Sequence, residues 1–473
     1  MEKSTPAPHV AMLATPGMGH LIPLAELAKR LAARHAVTTT LLTFASTASA
    51  TQRAFLASLP PSISPVTLPP VHLSDLPPDA LIETRMSVEC TRSLPALTAI
   101  LAELTPRPAA FVTDLFGMDA FDSARRAGVE RRCLFFPGSI HSLTLFLHLP
   151  ELSAATPGEF RDLAEPVRLP GCVPIPGVDM LSPLQERSSP AYAVMVHLAE
   201  RFVEADAFLV NSFDAVEPEA AAALRHPKPG RPPVYPIGPL IVTAASNKLR
   251  DASNKPTRDP CLEWLDRQPA RSVIFVSFGS GGALPQEEMR ELALGLELSG
   301  QRFLWVVRSP SKEGSVSANY YDAESKSDPL GYLPEGFVER TKGVGLVVPS
   351  WAPQIEVLAH EATGGFLTHC GWNSTLESHV HGVPMVAWPL YAEQRLNAVM
   401  LTEGIGAAIR LPETKEKVTI AAVVRDVMVG ERKGALVRAK VAELQKAVEE
   451  GLREGGAATA ALDGVVENWV GGN

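Results

Sequence analysis

The sequence has no run of about 18 apolar residues, so it contains no predicted transmembrane helix. Residues 1–8 are polar and lack the apolar core of a secretion signal. Cysteine is scarce as well: the five cysteines are scattered, odd in number and form no CxxC pair. We therefore expect a cytoplasmic chain with reduced cysteines and no membrane insertion.

Positive charge is also in short supply, since 43 lysines and arginines face 52 aspartates and glutamates, a net charge of −9. An acidic chain repels phosphate backbones, so we expect no nucleic-acid partner, and an anionic ligand would have to be held by local donors. With 34 glycines and 42 prolines among 473 residues, the chain is no low-complexity sequence. Its length suggests two or three globular domains.

Short apolar runs alternate with helical patterns along most of the chain, which is typical of a parallel sheet with crossover helices. The first half has predicted strands at residues 9–14, 38–44, 110–113, 132–136 and 207–211. The rhythm restarts with predicted strands at residues 273–278, 303–307, 345–348, 365–368 and 384–387. These patterns predict the α/β class with two similar halves. The polar residues 244–259 predict a linker between the halves, and the irregular stretch Ser309 to Leu330 predicts an insertion.

Two titratable residues lie where strands of the first half end, and ligands of open α/β sheets bind beyond such ends. His20 follows a glycine-bearing turn and could act as a general base near neutral pH. Asp114 follows the strand 110–113 and could accept a hydrogen bond from an imidazole. A structural turn histidine and a helix N-cap are the alternative interpretations. Ile22 stands where a dinucleotide-binding fingerprint needs its third glycine, which disfavours dinucleotide binding.

The second half holds a weak and a specific nucleotide-binding signal. Residues 277–282 form a glycine-rich loop after a strand, but the loop lacks the GK[ST] ending of a P-loop. In the stretch 351–394, Trp351 offers a flat face for a base, and residues 369–374 offer donors suited to a diphosphate at a helix start. Trp388, between apolar neighbours, is predicted to lie in the core.

His369, Cys370, His379 and His381 could be mistaken for a metal cluster. His379 and His381 are two residues apart, so on a helix their side chains diverge. His381 precedes a glycine and is predicted to cap a helix end, where a cation is favourable. We expect both histidines to be surface variation and predict no metal site.

The stretch 351–394 closely resembles the signature box of plant family-one UDP-glycosyltransferases at essentially all its characteristic positions. Residues 16–23, 114–117 and 169–174 are similar to the branch of hydroquinone, phenol and monolignol glucosyltransferases. The resemblance covers nearly the whole chain and implies a GT-B fold, two Rossmann-like domains facing a cleft. It implies an acceptor-binding domain at 1–243, a UDP-sugar-binding domain at 260–455, and a helix within 456–473 that crosses back to the first domain.

Carried over residue by residue, the resemblance implies that His20 is the catalytic base and Asp114 its orienting acid. It implies a uracil stack on Trp351, ribose contacts, diphosphate contacts and sugar contacts, together at Ser139, Ser277, Trp351, Ala352, Gln354, His369, Trp372, Asn373, Ser374, Glu377, Glu393 and Gln394. Gly138 precedes Ser139 where the branch often has two hydroxyl residues. Acceptor contacts are expected at Met18, Glu83, Phe116, Ile140 and Phe146.

The resemblance implies inverting transfer of glucose from UDP-glucose to a hydroxyl of a small aromatic acceptor by a monomer, with no cofactor and no metal. Gln394 and Trp372 favour glucose over galactose and glucuronate in the donor. Phenols, monolignols, indoxyl-like heterocycles, anilines and flavonoids all stay open as acceptors. A catalytically silent UDP-sugar-binding protein and a nicotinamide-dependent oxidoreductase are the rival classes.

Overall fold

The computed structural model describes residues 7–77, 80–225, 228, 230–242, 259–310 and 328–470. The chain divides into two compact units. Unit 1 comprises residues 1–178, 183–241 and 450–473, and unit 2 comprises residues 179–182 and 242–449. Residues 244–258 of the predicted linker and 311–327 of the predicted insertion lie outside the described residues.

Unit 1 contains a seven-stranded parallel sheet in the order β3-β2-β1-β4-β5-β6-β7. Its strands are β1 (His9–Leu13), β2 (Thr38–Phe44), β3 (Ile63–Leu68), β4 (Ala110–Thr113), β5 (Arg131–Phe136), β6 (Ala207–Val210) and β7 (Val234–Pro236). Its first helices are α1 (Met18–His35), α2 (Ala50–Ala57), α3 (Ile82–Glu103), α4 (Ala120–Arg126), α5 (Ile140–Ala155), α6 (Pro190–Arg201) and α7 (Pro218–Arg225).

Unit 2 contains a six-stranded parallel sheet in the order β10-β9-β8-β11-β12-β13. Its strands are β8 (Val273–Ser277), β9 (Arg302–Val307), β10 (Gly345–Pro349), β11 (Thr363–Thr368), β12 (Met385–Ala387) and β13 (Ala408–Arg410). The remaining helices are α8 (Pro260–Leu265), α9 (Gln286–Ser299), α10 (Phe337–Arg340), α11 (Gln354–Ala359), α12 (Trp372–Val380), α13 (Gln394–Val399), α14 (Lys417–Val429), α15 (Lys433–Leu452) and α16 (Ala457–Val470).

Both units are Rossmann-like, which confirms the predicted α/β class with two parallel sheets. In each sheet the strand order runs outward in two directions from a central pair, β1 and β4 in unit 1 and β8 and β11 in unit 2. At such a reversal the two loops beyond the strand ends leave in opposite directions and open a crevice. Each sheet therefore has one switch point where a ligand is expected.

Apolar periodicity explains why α1 packs where it does. Leu21, Leu24, Leu27 and Leu31 recur at helical spacing and are buried in the core of unit 1. Helix α16 buries Leu462, Val465, Val466 and Trp469 in the same core. The last helix of the chain is thus part of unit 1.

Strand β3 was not predicted, and its burial explains why. Only its two terminal residues, Ile63 and Leu68, are buried, and Pro65 interrupts the strand. An edge strand with this pattern has neither the apolar run nor the alternation that reveals a strand in sequence.

The expectation that His379 and His381 lie at the surface was wrong for His379. The His379 side chain is fully buried, and burial lowers the pKa of its imidazole to about 3, so the ring is neutral. The prediction that His381 caps the end of α12 is confirmed. Burial lowers the pKa of His381 too, so the cap is a neutral ring rather than the expected cation.

Within the described ranges, we find no helix with both the length and the apolar character that a membrane crossing requires.

Candidate functional site

The first candidate site lies at the switch point of unit 1. Strands β1 and β4 pair in parallel with Leu13 opposite Thr113, so the residues that follow them meet at one edge of the sheet. His20 is the third residue of α1, and its Nδ1 lies 3.3 Å from Oδ2 of Asp114. The strand order brings together two residues that the sequence separates widely. A histidine beside a carboxylate is an arrangement suited to proton abstraction.

Asp114 is buried and held by several donors. Thr15 donates its hydroxyl to Oδ1 at 2.6 Å and lies 2.7 Å from Oδ2, and its backbone N–H donates to Oδ2 at 3.0 Å. The backbone N–H of Phe116 donates to Oδ1 at 3.1 Å, so Asp114 also caps the short helical turn after β4. Asp114 thus caps this short turn rather than the helix predicted at 118–126, whose N-cap is Asp119, and the same carboxylate lies beside His20.

The His20 ring stays partly open, with 15% of its side chain exposed, whereas the Asp114 side chain is 1% exposed. The Phe116 ring packs edge-on against the imidazole, with the centroids 5.8 Å apart. Asp114 faces Nδ1, which makes Nε2 the ring nitrogen suited to take a proton from a ligand.

Thr15 is the residue that sequence reasoning missed at this site, and we expect it to act through Asp114. Replacing Thr15 by valine keeps the shape of the side chain and the backbone N–H but removes the hydroxyl that donates to Asp114. A hydrogen bond to a charged group contributes about 1.5–3 kcal/mol of stabilisation. Thr15→Val should therefore lower the turnover rate on the order of tenfold and leave the affinity for ligands nearly unchanged. Thr15→Ser is the matched control and should keep most of the activity. Equal kcat values for the valine and serine variants would remove Thr15 from the site.

The second candidate site lies at the switch point of unit 2. Ser277 ends β8 opposite Thr368 of β11, so the glycine-rich loop after β8 lies beside residues 369–371. The His369 ring packs against glycines of both loops: a Cβ atom on Gly279 would lie 2.7 Å from the ring, and one on Gly371 would lie 2.4 Å from Nε2. Any larger residue at either position would clash with the ring where it now lies.

His369 is a neutral donor or acceptor at physiological pH. Burial, with a smaller contribution from the nearby charge of Arg308, lowers the pKa of its imidazole to about 4. The protein supplies no hydrogen-bond partner for Nδ1 within the part of the chain that the structure describes. The ring therefore has unused hydrogen-bonding capacity at the strand edge.

Three of the residues implied for the ribose and phosphate meet on two helices. Gln354, the first residue of α11, donates to the Ser374 hydroxyl at 2.9 Å and to a Glu377 carboxylate oxygen at 2.6 Å. Burial raises the pKa of Glu377 to about 7, while the hydrogen bond from Gln354 opposes that shift. An amide and a carboxylate paired in this way present acceptors to a diol.

Three tryptophans of the 351–394 stretch differ in how far their side chains are exposed to solvent. Trp351 is 66% exposed just beyond β10, as a stacking face must be. Trp388 is fully buried and packs edge-on against Phe278, which confirms its prediction as a core residue. Trp372, the implied sugar contact, is also buried, at 3% exposed.

Strained backbone adjoins these side chains. Ser350, Cys370 and Ala392 have φ values of 64°, 65° and 53°, in the left-handed region that non-glycine residues rarely adopt. They precede Trp351, follow His369 and precede Glu393. Such strain is concentrated at functional sites, where the surrounding structure holds it.

The loop from 388 to 394 is stabilised by hydrogen bonds from its own side chains and from a neighbouring helix. The Gln394 side-chain oxygen accepts from the backbone N–H groups of Leu390 and Tyr391 at 2.9 and 3.0 Å. Asn397 donates to the Cys370 carbonyl at 2.9 Å and to Glu393 at 3.4 Å. Asn397, a second residue that sequence reasoning missed, ties α13 to the loop after β11. Its position one turn after Glu393 was the only signal.

The other predicted site residues of unit 1 lie on, or at the start of, helices α1, α3 and α5. Ser139 is fully buried and caps α5, since its hydroxyl accepts from the Ser142 N–H at 3.0 Å. Ile140 is fully buried, and Phe146 stacks on Phe202 inside an aromatic cluster. Two further residues stand at helix starts: Met18 begins α1 and the buried Glu83 lies in the first turn of α3.

No group of three histidine, cysteine, aspartate or glutamate side chains suited to a metal ion occurs among residues 7–470 outside the undescribed gaps. The groups implied for the diphosphate, as distinct from the Glu377 carboxylate implied for the ribose, are hydroxyl, amide and neutral imidazole groups. These are not the oxyanion ligands that magnesium or calcium prefers.

Comparisons with known proteins agree with one another. Residues 235–435 match the family model described as UDP-glucuronosyl and UDP-glucosyl transferase. The chain is 50% identical to hydroquinone glucosyltransferase of Rauvolfia serpentina, over 98% of each chain, and 49% identical to UDP-glycosyltransferase 72B1 of Arabidopsis thaliana, over 99% and 97%. Among solved structures it resembles a Polygonum tinctorium UDP-glucosyltransferase capable of glucosylating indoxyl, in complex with 3,4-dichloroaniline, with a TM-score of 0.89, 47% identity and coverage of 98% and 99%.

Proposed function

Because the chain belongs to the family of UDP-glucuronosyl and UDP-glucosyl transferases, we propose that it transfers glucose from UDP-glucose to a hydroxyl of a small aromatic acceptor, with His20 as the base. The resemblance and the GT-B fold predicted from the sequence are thereby confirmed. The observation that carries the base assignment is the 3.3 Å approach of His20 Nδ1 to Asp114 at the switch point of unit 1.

The proton transfer follows from that geometry. His20 takes the proton of the acceptor hydroxyl on Nε2, and the imidazolium that forms is stabilised by the buried Asp114 carboxylate. The oxygen attacks the anomeric carbon of the sugar from the face opposite UDP. An α-linked donor then gives a β-glucoside. A phenol, whose pKa is about 10, needs only partial deprotonation in the transition state.

We propose that unit 2 holds the donor. Support comes from the exposed Trp351 for the uracil, the Gln354–Glu377 pair for the ribose, and Ser277, His369 and the start of α12 for the diphosphate. Helix N-termini carry free N–H groups and a partial positive charge, which stabilise the UDP leaving group. Ala352, Trp372, Asn373, Glu393 and Gln394 complete the proposed contacts.

The proposed domain roles place the acceptor in residues 1–243 and the donor in residues 260–455. Phe116 is the proposed acceptor contact with direct support, because its ring touches the imidazole of the proposed base. The names of the relatives favour phenols and related aromatic nucleophiles. We further propose a cytoplasmic monomer, in keeping with five free cysteines.

An acceptor panel with UDP-glucose, read by mass spectrometry, tests the proposal. We expect hexose adducts of simple phenols, and kcat/KM at least tenfold lower with UDP-galactose or UDP-glucuronate. Turnover should persist in excess EDTA, because the proposed diphosphate ligands are neutral donors rather than metal carboxylates. Comparable kcat/KM for UDP-glucuronate would overturn the donor assignment. A loss in EDTA restored by magnesium or manganese would overturn the phosphate-site assignment.

A further inference from the structure

Arg308 lies at the end of β9, between the strand ends that carry the proposed uracil and diphosphate contacts. The proposed function assigns it no role. Strand β9 lies between β10 and β8, with Val307 opposite Pro349 of β10. Arg308 is the first residue beyond the carboxyl end of β9. It therefore stands at the sheet edge between Trp351, which follows β10, and Ser277, which ends β8.

Arg308 interacts with the loops after β8 and β11 at that edge. Its Nη1 donates to the Ser280 carbonyl, in the loop after β8, and its side chain lines a small cavity with Ser277 and Gly279. Its charge also lowers the pKa of His369, after β11. Burial lowers the pKa of Arg308 itself, but a guanidinium remains protonated in proteins.

The charge balance of the proposed site calls for a cation. The diphosphate of a UDP-sugar is anionic, and the whole chain carries a net charge of −9. The proposed ligands Ser277, Asn373 and Ser374 are neutral, and burial keeps His369 neutral as well. Helix N-termini supply only a partial charge. A partly buried guanidinium at this edge would supply the remainder.

We propose that Arg308 is a donor-site residue whose guanidinium supplies positive charge to the bound diphosphate and fixes the loop after Ser277. This inference rests on the proposed function, in which unit 2 binds UDP-glucose. It predicts that Arg308 contributes to the binding of UDP but hardly to the binding of uridine, which has the same base and ribose without the charged phosphates.

Calorimetric titration with UDP and with uridine separates these contributions. Arg308→Gln should weaken UDP binding about 10–100-fold, the range for a lost charge-assisted hydrogen bond, and change uridine binding less than threefold. Arg308→Lys keeps the charge without the planar fork and should lie between the glutamine variant and the wild type. The matched control is Arg302→Gln at the opposite end of β9, whose guanidinium contacts Gln268 at 3.1 Å. Both affinities of the control should equal the wild-type values.

The outcomes are distinct. If Arg308→Gln weakens UDP and uridine binding by the same factor, or changes neither, the inference is wrong. If Arg308→Gln does not fold, the lysine variant decides, since unchanged UDP-to-uridine selectivity combined with loss of kcat would assign Arg308 a merely structural role. If wild-type protein binds neither ligand, the proposed function fails, which is a different result from failure of the Arg308 variants alone.

Discussion

His20→Ala should lower kcat for glucosylation of ordinary phenols by about 10²–10⁴-fold, the range that a positioned general base contributes. The variant removes the imidazole that lies 3.3 Å from Asp114. UDP affinity, measured by calorimetry, should stay within about twofold of wild type, since His20 is not among the proposed donor contacts, all of which except Ser139 belong to unit 2. Strongly acidic phenols, already ionised at neutral pH, should lose less.

Asp114→Asn is the comparison that separates the base from its orienting partner. It keeps a hydrogen-bonding side chain of the same shape but cannot stabilise the imidazolium, so it should retain more activity than His20→Ala. Near-native turnover by His20→Ala would remove the histidine from the mechanism. A larger loss in Asp114→Asn than in His20→Ala would instead make the carboxylate the base.

Gly371→Ala should raise the KM for UDP-glucose on the order of 10–100-fold. The added Cβ would lie 2.4 Å from Nε2 of His369, so the ring or the loop after β11 must move. Overpacking of this kind costs about 1–3 kcal/mol, and 1.4 kcal/mol corresponds to a tenfold change in affinity. The φ of Gly371 is −61°, which alanine adopts without strain, so the effect isolates the contact with His369.

Gly451→Ala is the matched control for that experiment. It lies in α15, where an added Cβ would meet nothing within 4 Å, and alanine favours a helix by up to about 1 kcal/mol over glycine. Its kinetics should equal those of wild type. An unchanged KM in Gly371→Ala would show that the position of the His369 ring does not matter for donor binding.

The local features of this protein could be predicted from the sequence because each depends on neighbouring residues. The leucines of α1 recur at helical spacing and are buried. The apolar run of β8 and the glycines after it predict a strand and a loop, which the structure contains. The dense motif at 351–394 predicted the family, and the comparisons confirm it. Each of these signals lies within one short window of the chain.

Exposure of individual side chains could not be predicted in the same way. Trp351, Trp372 and Trp388 share one motif, yet only Trp351 is open to solvent. His379 was predicted from the sequence to lie at the surface, but its side chain is fully buried. Burial depends on what other elements pack against a helix face, and a window of sequence does not contain those elements.

The sequence by itself determined the α/β class, the family and the residue types that could do the chemistry, because periodicity and motif spacing are local properties. The tertiary structure alone decided which of these residues meet. Thr15 reaches Asp114 across 99 positions because the strand order places β1 beside β4. Arg308 comes to the edge beside Ser280 and His369 because β9 lies between β10 and β8. Strand order is set by the packing of whole sheets against their helices, so contacts between strand ends arise only when the chain folds.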